Sequence, residues 1–275
     1  MKRTICILGW AVLVLVACNN NQQNNETTSE DNNSDTSTAI PAPATVIFNV
    51  ADTIHHDKDA FTEGFEFHEG KLIESTGEYG KSSIRIYHPK SGSTEKLIPI
   101  KDPKIFGEGI TFFQGKMYQL TYREHQVLVY DEQNLNQPIQ RLTWPKEGWG
   151  MTNDGTNLLV SDGTSTLYYV KPDDFSVVKT LTVNSTEGAV DQLNELEFID
   201  GYIYANRWHE DAIYKIDPNT GYVVGKMHFE GMLEHYLPQL IHGEEDVLNG
   251  IAYDQQEKML YLTGKNWPIT FKVTF

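Results

Sequence analysis

Apolar and polar residues alternate in short runs along most of the chain, and the same arrangement of runs recurs. Glu63-Gly64-Phe65-Glu66-Phe67, Glu108-Gly109-Ile110-Thr111-Phe112, Trp149-Gly150-Met151-Thr152-Asn153, Asn194-Glu195-Leu196-Glu197-Phe198 and Asn249-Gly250-Ile251-Ala252-Tyr253 each read as a strand of period two. A turn follows, usually with a glycine (Gly70, Gly115, Gly155, Gly201), and then a second run: Leu72-Ile73, Met117-Tyr118, Leu158-Leu159, Ile203-Tyr204 and Leu260-Tyr261. A third run completes each unit, at Ile84–Tyr87, Val127–Tyr130, Leu167–Val170, Ala212–Ile216 and Thr270–Val273. Five units of about 45 residues, each of three or four short antiparallel strands, predict an all-β chain folded as a five-bladed β-propeller. Because the chain ends at Phe275 on a third strand, a strand near Val46–Val50 is expected to complete the last blade and close the ring, hiding the sheet edges.

Lining up the repeats also locates a site. In a propeller the first strand of each blade lines the central channel and the second runs back, so the start of one and the end of the other share a mouth. The starts are Glu63, Glu108, Trp149, Asn194 and Asn249, and the ends are Gly77, Tyr122, Gly163, Trp208 and Lys265. Two carboxylates, two carboxamides, a lysine and three aromatics therefore converge on one opening. A channel can be polar merely to satisfy backbone groups and water. Two tryptophans at a wet rim, however, are costly unless something stacks on them.

Before residue 45 the pattern changes. Lys2 and Arg3, the apolar run Ile5–Val16 and then Leu15-Val16-Ala17-Cys18 have the order of a secretory signal over residues 1–18. Small residues leading into a cysteine favour a lipoprotein over an ordinary secreted chain, with Cys18 the lipidated N-terminus and the protein held at the cell envelope, facing the periplasm or exterior. About 12 apolar residues fall short of the roughly 20 that span a bilayer, so membrane contact is expected through the lipid alone. Residues 19–44, rich in Asn, Gln, Ser and Thr with Ile40 the one large apolar residue, are expected to be a disordered tether. The propeller is then expected over 45–275.

Cys6 and Cys18, the chain's two cysteines, both precede that domain, which must be stable without a disulfide. The formal net charge of −16 stays strongly negative for the domain alone. It excludes nucleic acid as a partner and favours solubility. The nine histidines show no zinc-binding spacing, and the nearest cluster, His55-His56-Asp57, is expected on a surface loop with no metal. Neither a phosphate-binding glycine loop nor a nucleophile elbow is present.

Nine short motifs, in order, resemble the plant and bacterial glutaminyl cyclases: Phe61-Thr62-Glu63-Gly64, Glu74-Ser75-Thr76-Gly77, Phe106-Gly107-Glu108-Gly109, Gly148-Trp149-Gly150, Ser161-Asp162-Gly163-Thr164, Leu193–Glu197, Ala205-Asn206-Arg207-Trp208, Val247–Ala252 and Thr263-Gly264-Lys265. The resemblance spans essentially all of 45–275. It implies a five-bladed propeller with its active site at one channel mouth, no cofactor and no catalytic metal, acting on peptides or proteins with N-terminal Gln. Carried over by motif, the site residues are Phe61, Phe106, Glu108, Trp149, Asn194, Trp208 and Lys265. Two positions depart from the family pattern, which usually has Gln where this chain has Glu63 and Trp where it has Tyr122.

The implied reaction is attack of the α-amine on the side-chain carboxamide, giving pyroglutamate and ammonia. Catalysis is expected from Glu108 as proton shuttle, from Asn194 bonding the amine or carboxamide, and from Lys265 steadying the oxyanion or, failing that, pairing with Glu108. Phe61, Glu63, Phe106, Tyr122, Trp149, Trp208 and Asn249 are expected to bind substrate. A monomer is expected. A propeller that merely binds a peptide or glycan through the same mouth remains the alternative.

Overall fold

The computed structural model describes residues 40–241 and 243–275, so the proposed signal, Cys18 and all but the last residues of the tether lie outside the described residues. Five four-stranded antiparallel sheets are arranged as blades. The first comprises Thr62–His68, Lys71–Thr76, Ser83–Tyr87 and Thr94–Pro99, the second Gly107–Phe113, Lys116–Thr121, Gln126–Asp131 and Gln140–Thr143, and the third Met151–Asn153, Leu158–Ser161, Thr166–Val170 and Val177–Thr182. Leu193–Ile199, Tyr202–Arg207, Ala212–Ile216 and Val223–His228 make the fourth. The fifth joins Leu248–Asp254, Met259–Gly264 and Ile269–Thr274 to an outer strand from the far end of the chain, Asn49–His55. First strands of neighbouring blades lie against one another around the axis.

The turn signals do what their chemistry requires. Glu69-Gly70, Gln114-Gly115 and Asp200-Gly201 all have positive φ, and each links strands paired directly across it (His68 with Lys71, Phe113 with Lys116, Ile199 with Tyr202). These are two-residue turns of the primed kind, whose twist matches that of the strands they join. Between blades, apolar faces interlock: Ile73, Ile84 and Ile110 pack with Met117 and Leu128, and Trp144 sits fully buried edge-on to Tyr168 and Phe175. Each such side chain contributes about 1.5–3 kcal/mol by leaving water.

Ring closure corrects the expected strand in its detail. Ala44–Thr45 pairs in parallel with the outer strand of the fourth blade, and only from Asn49 does the chain join the fifth, antiparallel to Ile269–Thr274. Phe48 turns the corner, its ring 4.4 Å from that of Phe229. The strand expected near Val46–Val50 is thus divided between two blades, Val46 N still bonding the Lys226 carbonyl of the fourth and Asn49-Val50 joining the fifth. His55-His56-Asp57 also differs from expectation, because His56 is no surface residue. It is 1% exposed, with Nδ1 2.6 Å from the Trp267 carbonyl and Nε2 3.1 Å from Glu74 Oε1. The closing strand ends there, and the imidazole fastens it to the first and fifth blades. Burial alone would raise the Glu74 carboxyl, but His56 and the hydroxyls of Tyr87 and Thr62 hold it below its ordinary value.

Below the mouth, the channel is tied together by carboxylates. Glu195 accepts the amides of Phe65 and Ile251, Glu197 that of Tyr253, and Glu66 that of Phe112. Each bond crosses from one blade to another. Burial raises all three carboxyls, Glu66 to about 8.

Candidate active site

At the start of four of the five first strands the ladder slips. Register shifts fall between Thr62 and Gly64, Gly107 and Ile110, Leu193 and Leu196, and Leu248 and Ile251. Glu63, Glu108, Asn194 and Asn249 therefore sit in bulges, which re-aim a side chain out of the strand's alternation. Glycine follows three of them because the next blade leaves no room for more: a Cβ at Gly109 would lie 2.5 Å from the Met151 amide nitrogen. Gly150, after Trp149, is tighter still, with the Asn194 carbonyl oxygen 2.0 Å from a Cβ there.

Nine of the ten expected site residues come together. Phe61, Glu63, Phe106, Glu108, Tyr122, Trp149, Asn194, Trp208 and Lys265 line one cavity of about 160 Å³. That is below the roughly 300–1,000 Å³ of drug-sized ligand sites and suits one amino-acid residue. Trp149 and Trp208 meet edge to face, ring centres 5.8 Å apart. Phe106 stands edge-on to Phe61 at 6.3 Å and tilted against Tyr122 at 5.5 Å. The two glycines in the second-strand column make room for these rings, since a Cβ at Gly77 would lie 2.3 Å from Phe106 and one at Gly163 2.6 Å from Trp149.

Asn249 is placed differently. It is fully buried behind the wall, its Nδ2 2.9 Å from the Thr62 carbonyl and 3.4 Å from Glu63 Oε2, so it holds Glu63 and does not line the cavity. Glu245 joins the wall unannounced. It comes from the connection between the fourth and fifth blades, outside the repeat, where column alignment has nothing to compare.

Lys265 pairs with Glu63, not with Glu108: Nζ lies 2.8 Å from Glu63 Oε1, with the two side chains 7% and 3% exposed. The ammonium also sits over the Phe61 ring, 4.5 Å from its centre. Glu108 is 4% exposed and shares a hydrogen bond with the Glu63 carboxyl. Burial and the neighbouring Glu63 push Glu108 well above the ordinary carboxyl range. Glu63 is raised as well, by burial, though Lys265 opposes the rise. We therefore assign the proton of this pair to Glu108 and the charge to Glu63, where the cation is. Two buried polar atoms of the wall, Asn194 Oδ1 and Trp208 Nε1, have no hydrogen-bond partner within the protein. One is an acceptor and the other a donor, and such atoms are costly unless a ligand meets them.

The sequence model of a family described as glutamine cyclotransferase matches residues 14–275. The chain belongs to that family. A glutaminyl-peptide cyclotransferase of Arabidopsis thaliana is 37% identical over 219 residues, covering 79% of this chain and 68% of the plant protein. The crystal structure of Myxococcus xanthus glutaminyl cyclase superposes with a TM-score of 0.77 at 32% identity, covering 84% of this chain and 97% of the bacterial one. Family membership thus agrees with the resemblance carried by the nine motifs and with the five blades.

Proposed function

We propose that this protein converts N-terminal glutamine of peptides to pyroglutamate with release of ammonia. The observation that carries the reading is Glu108, its carboxyl raised by burial and by Glu63 and walled by aromatic rings in a cavity sized for one residue, in a chain of this family. The reaction needs little beyond orientation and a proton carrier, because nucleophile and electrophile share one residue. As the α-amine bonds to the side-chain carbonyl carbon, it loses a proton; as the carbon–nitrogen bond of the carboxamide breaks, the departing nitrogen gains one. A single carboxyl whose pKa is raised above the ordinary range can accept the first and supply the second. Asn194 Oδ1 would accept from the amine or carboxamide N–H, and Trp208 Nε1 would donate to a carbonyl oxygen. Lys265, though engaged by Glu63, keeps donors for the oxygen on which charge develops. Ammonia release from a glutaminyl dipeptide, with a chelator present, tests the reading. Steady release is expected, and a peptide recovered uncyclised would refute it.

We further propose that the mature protein is a monomer anchored at the cell envelope through lipidated Cys18. The Leu15-Val16-Ala17-Cys18 order supports the anchor. Cys18→Ser is expected to move the protein from the membrane to the soluble fraction with the activity intact. An unacylated, soluble wild-type protein would contradict the anchor.

A further inference from the structure

Among the described residues that line the cavity, Lys265 is the one cation, and Glu63 already holds it. The pair is buried, and Glu63 is tied on its other side by Asn249 Nδ2 at 3.4 Å. The ammonium in turn rests against the Phe61 ring. What remains of the ionisable wall is acidic: Glu108 within, Glu245 at the rim.

We propose that Glu63 is a specificity-determining residue that bars N-terminal glutamate, so that the site takes the carboxamide of glutamine and rejects the γ-carboxylate. The inference rests on the cyclisation reading given above. Glutamine and glutamate have nearly the same shape, so a cavity of fixed form separates them poorly; they differ in an NH₂ exchanged for an oxygen and in one negative charge. The carboxamide brings N–H donors, which Asn194 Oδ1 and the two wall carboxyls can accept. A γ-carboxylate brings neither donor nor balancing charge. It would have to divide Lys265 with Glu63 where both are buried, and a buried ion left without a full partner is heavily penalised. Rejection through an unmatched polar or charged group is far steeper than rejection through shape.

Glutamate closure would also differ chemically, with the amine–carbonyl bond forming and water leaving from a γ-carboxyl that had first taken a proton. Exclusion of the charged form acts before that step, so binding reads it without turnover. Two peptides alike except for an N-terminal Gln or Glu serve as probes, the first as substrate and the second as competitive inhibitor, at pH 8. In the unmodified protein the Ki of the Glu peptide should exceed the KM of the Gln peptide by about 100-fold or more. Glu63→Gln releases Lys265 and should narrow that ratio about tenfold or more. A general loosening of the site would weaken both peptides together and leave the ratio alone. An unchanged ratio in Glu63→Gln overturns the proposal. So does a Glu peptide that binds the unmodified protein within about threefold of its Gln counterpart, a result that needs no variant. Failure to release ammonia from the Gln peptide would instead remove the cyclisation reading, and this inference with it.

Discussion

Glu108→Gln should lower kcat by 100-fold or more while the protein stays folded, general acid–base groups being worth about 10²–10⁴ in rate. The amide has the size and shape of the carboxyl it replaces and can still donate a hydrogen bond to Glu63, which keeps Lys265 as its counter-ion. Packing in the cavity wall is therefore preserved, and no charge is left unpaired. What is lost is the capacity to bind and release a proton. Burial and Glu63 push the Glu108 titration above that of a free carboxyl, toward the balance of bound and released proton that a shuttle needs. The amide has no such balance at any pH. Initial rates of ammonia release, with a thermal melt as control, check this. Retention of more than about a tenth of the rate would take the shuttle away from Glu108.

Lys265→Met should cost stability on the order of 3–5 kcal/mol, the range for removing one partner of a buried ion pair. Methionine fills the space along Phe61, so the loss is electrostatic: Glu63, 3% exposed, is left with hydrogen bonds from Glu108 and, at 3.4 Å, from Asn249, but with no cation to answer its charge. It will escape by protonation. Its folded pKa, already raised by burial, rises further without Lys265, whereas in the unfolded chain it returns to about 4.3. A carboxyl whose folded pKa is the higher one binds more protons folded than unfolded, so stability falls as pH rises between the two values. The deficit of Lys265→Met should therefore be full at pH 8 and shrink toward pH 5. Adding Glu63→Gln removes the stranded charge and should recover more than half of the loss. Urea midpoints of the four proteins at both pH values measure the coupling directly. Additive midpoints would show that the pair contributes nothing through its charge.

The sequence by itself determined the blade count, because alternation of period two broken by turns at regular spacing leaves few other ways to bury five sets of apolar faces. It also determined which residues face the mouth: equivalent positions of a repeat must lie at equivalent places on a ring. Seven of the cavity's residues were legible for that reason, whereas Phe61 and Phe106 came from the family motifs. Asn249 occupies the same column, yet it faces the Thr62 carbonyl and Glu63.

Only the tertiary structure decided who pairs with whom. Lys265 lies about 200 positions from Glu63 and 157 from Glu108, and no pattern along the chain says which carboxyl it reaches. The bulges choose, by turning Glu63 toward the fifth blade and leaving Glu108 to share its proton. Glu245 was illegible because it lies in a connection with no counterpart in other blades. His56 looked like one more polar residue beside a histidine and an aspartate, and its burial follows from where the closing strand ends, which the division of residues 44–55 between two blades sets. Periodicity is a local property, carried by neighbours in sequence. Pairing across the ring depends on bulges and ring closure, and these bring together residues whose order in the chain holds no record of their distance.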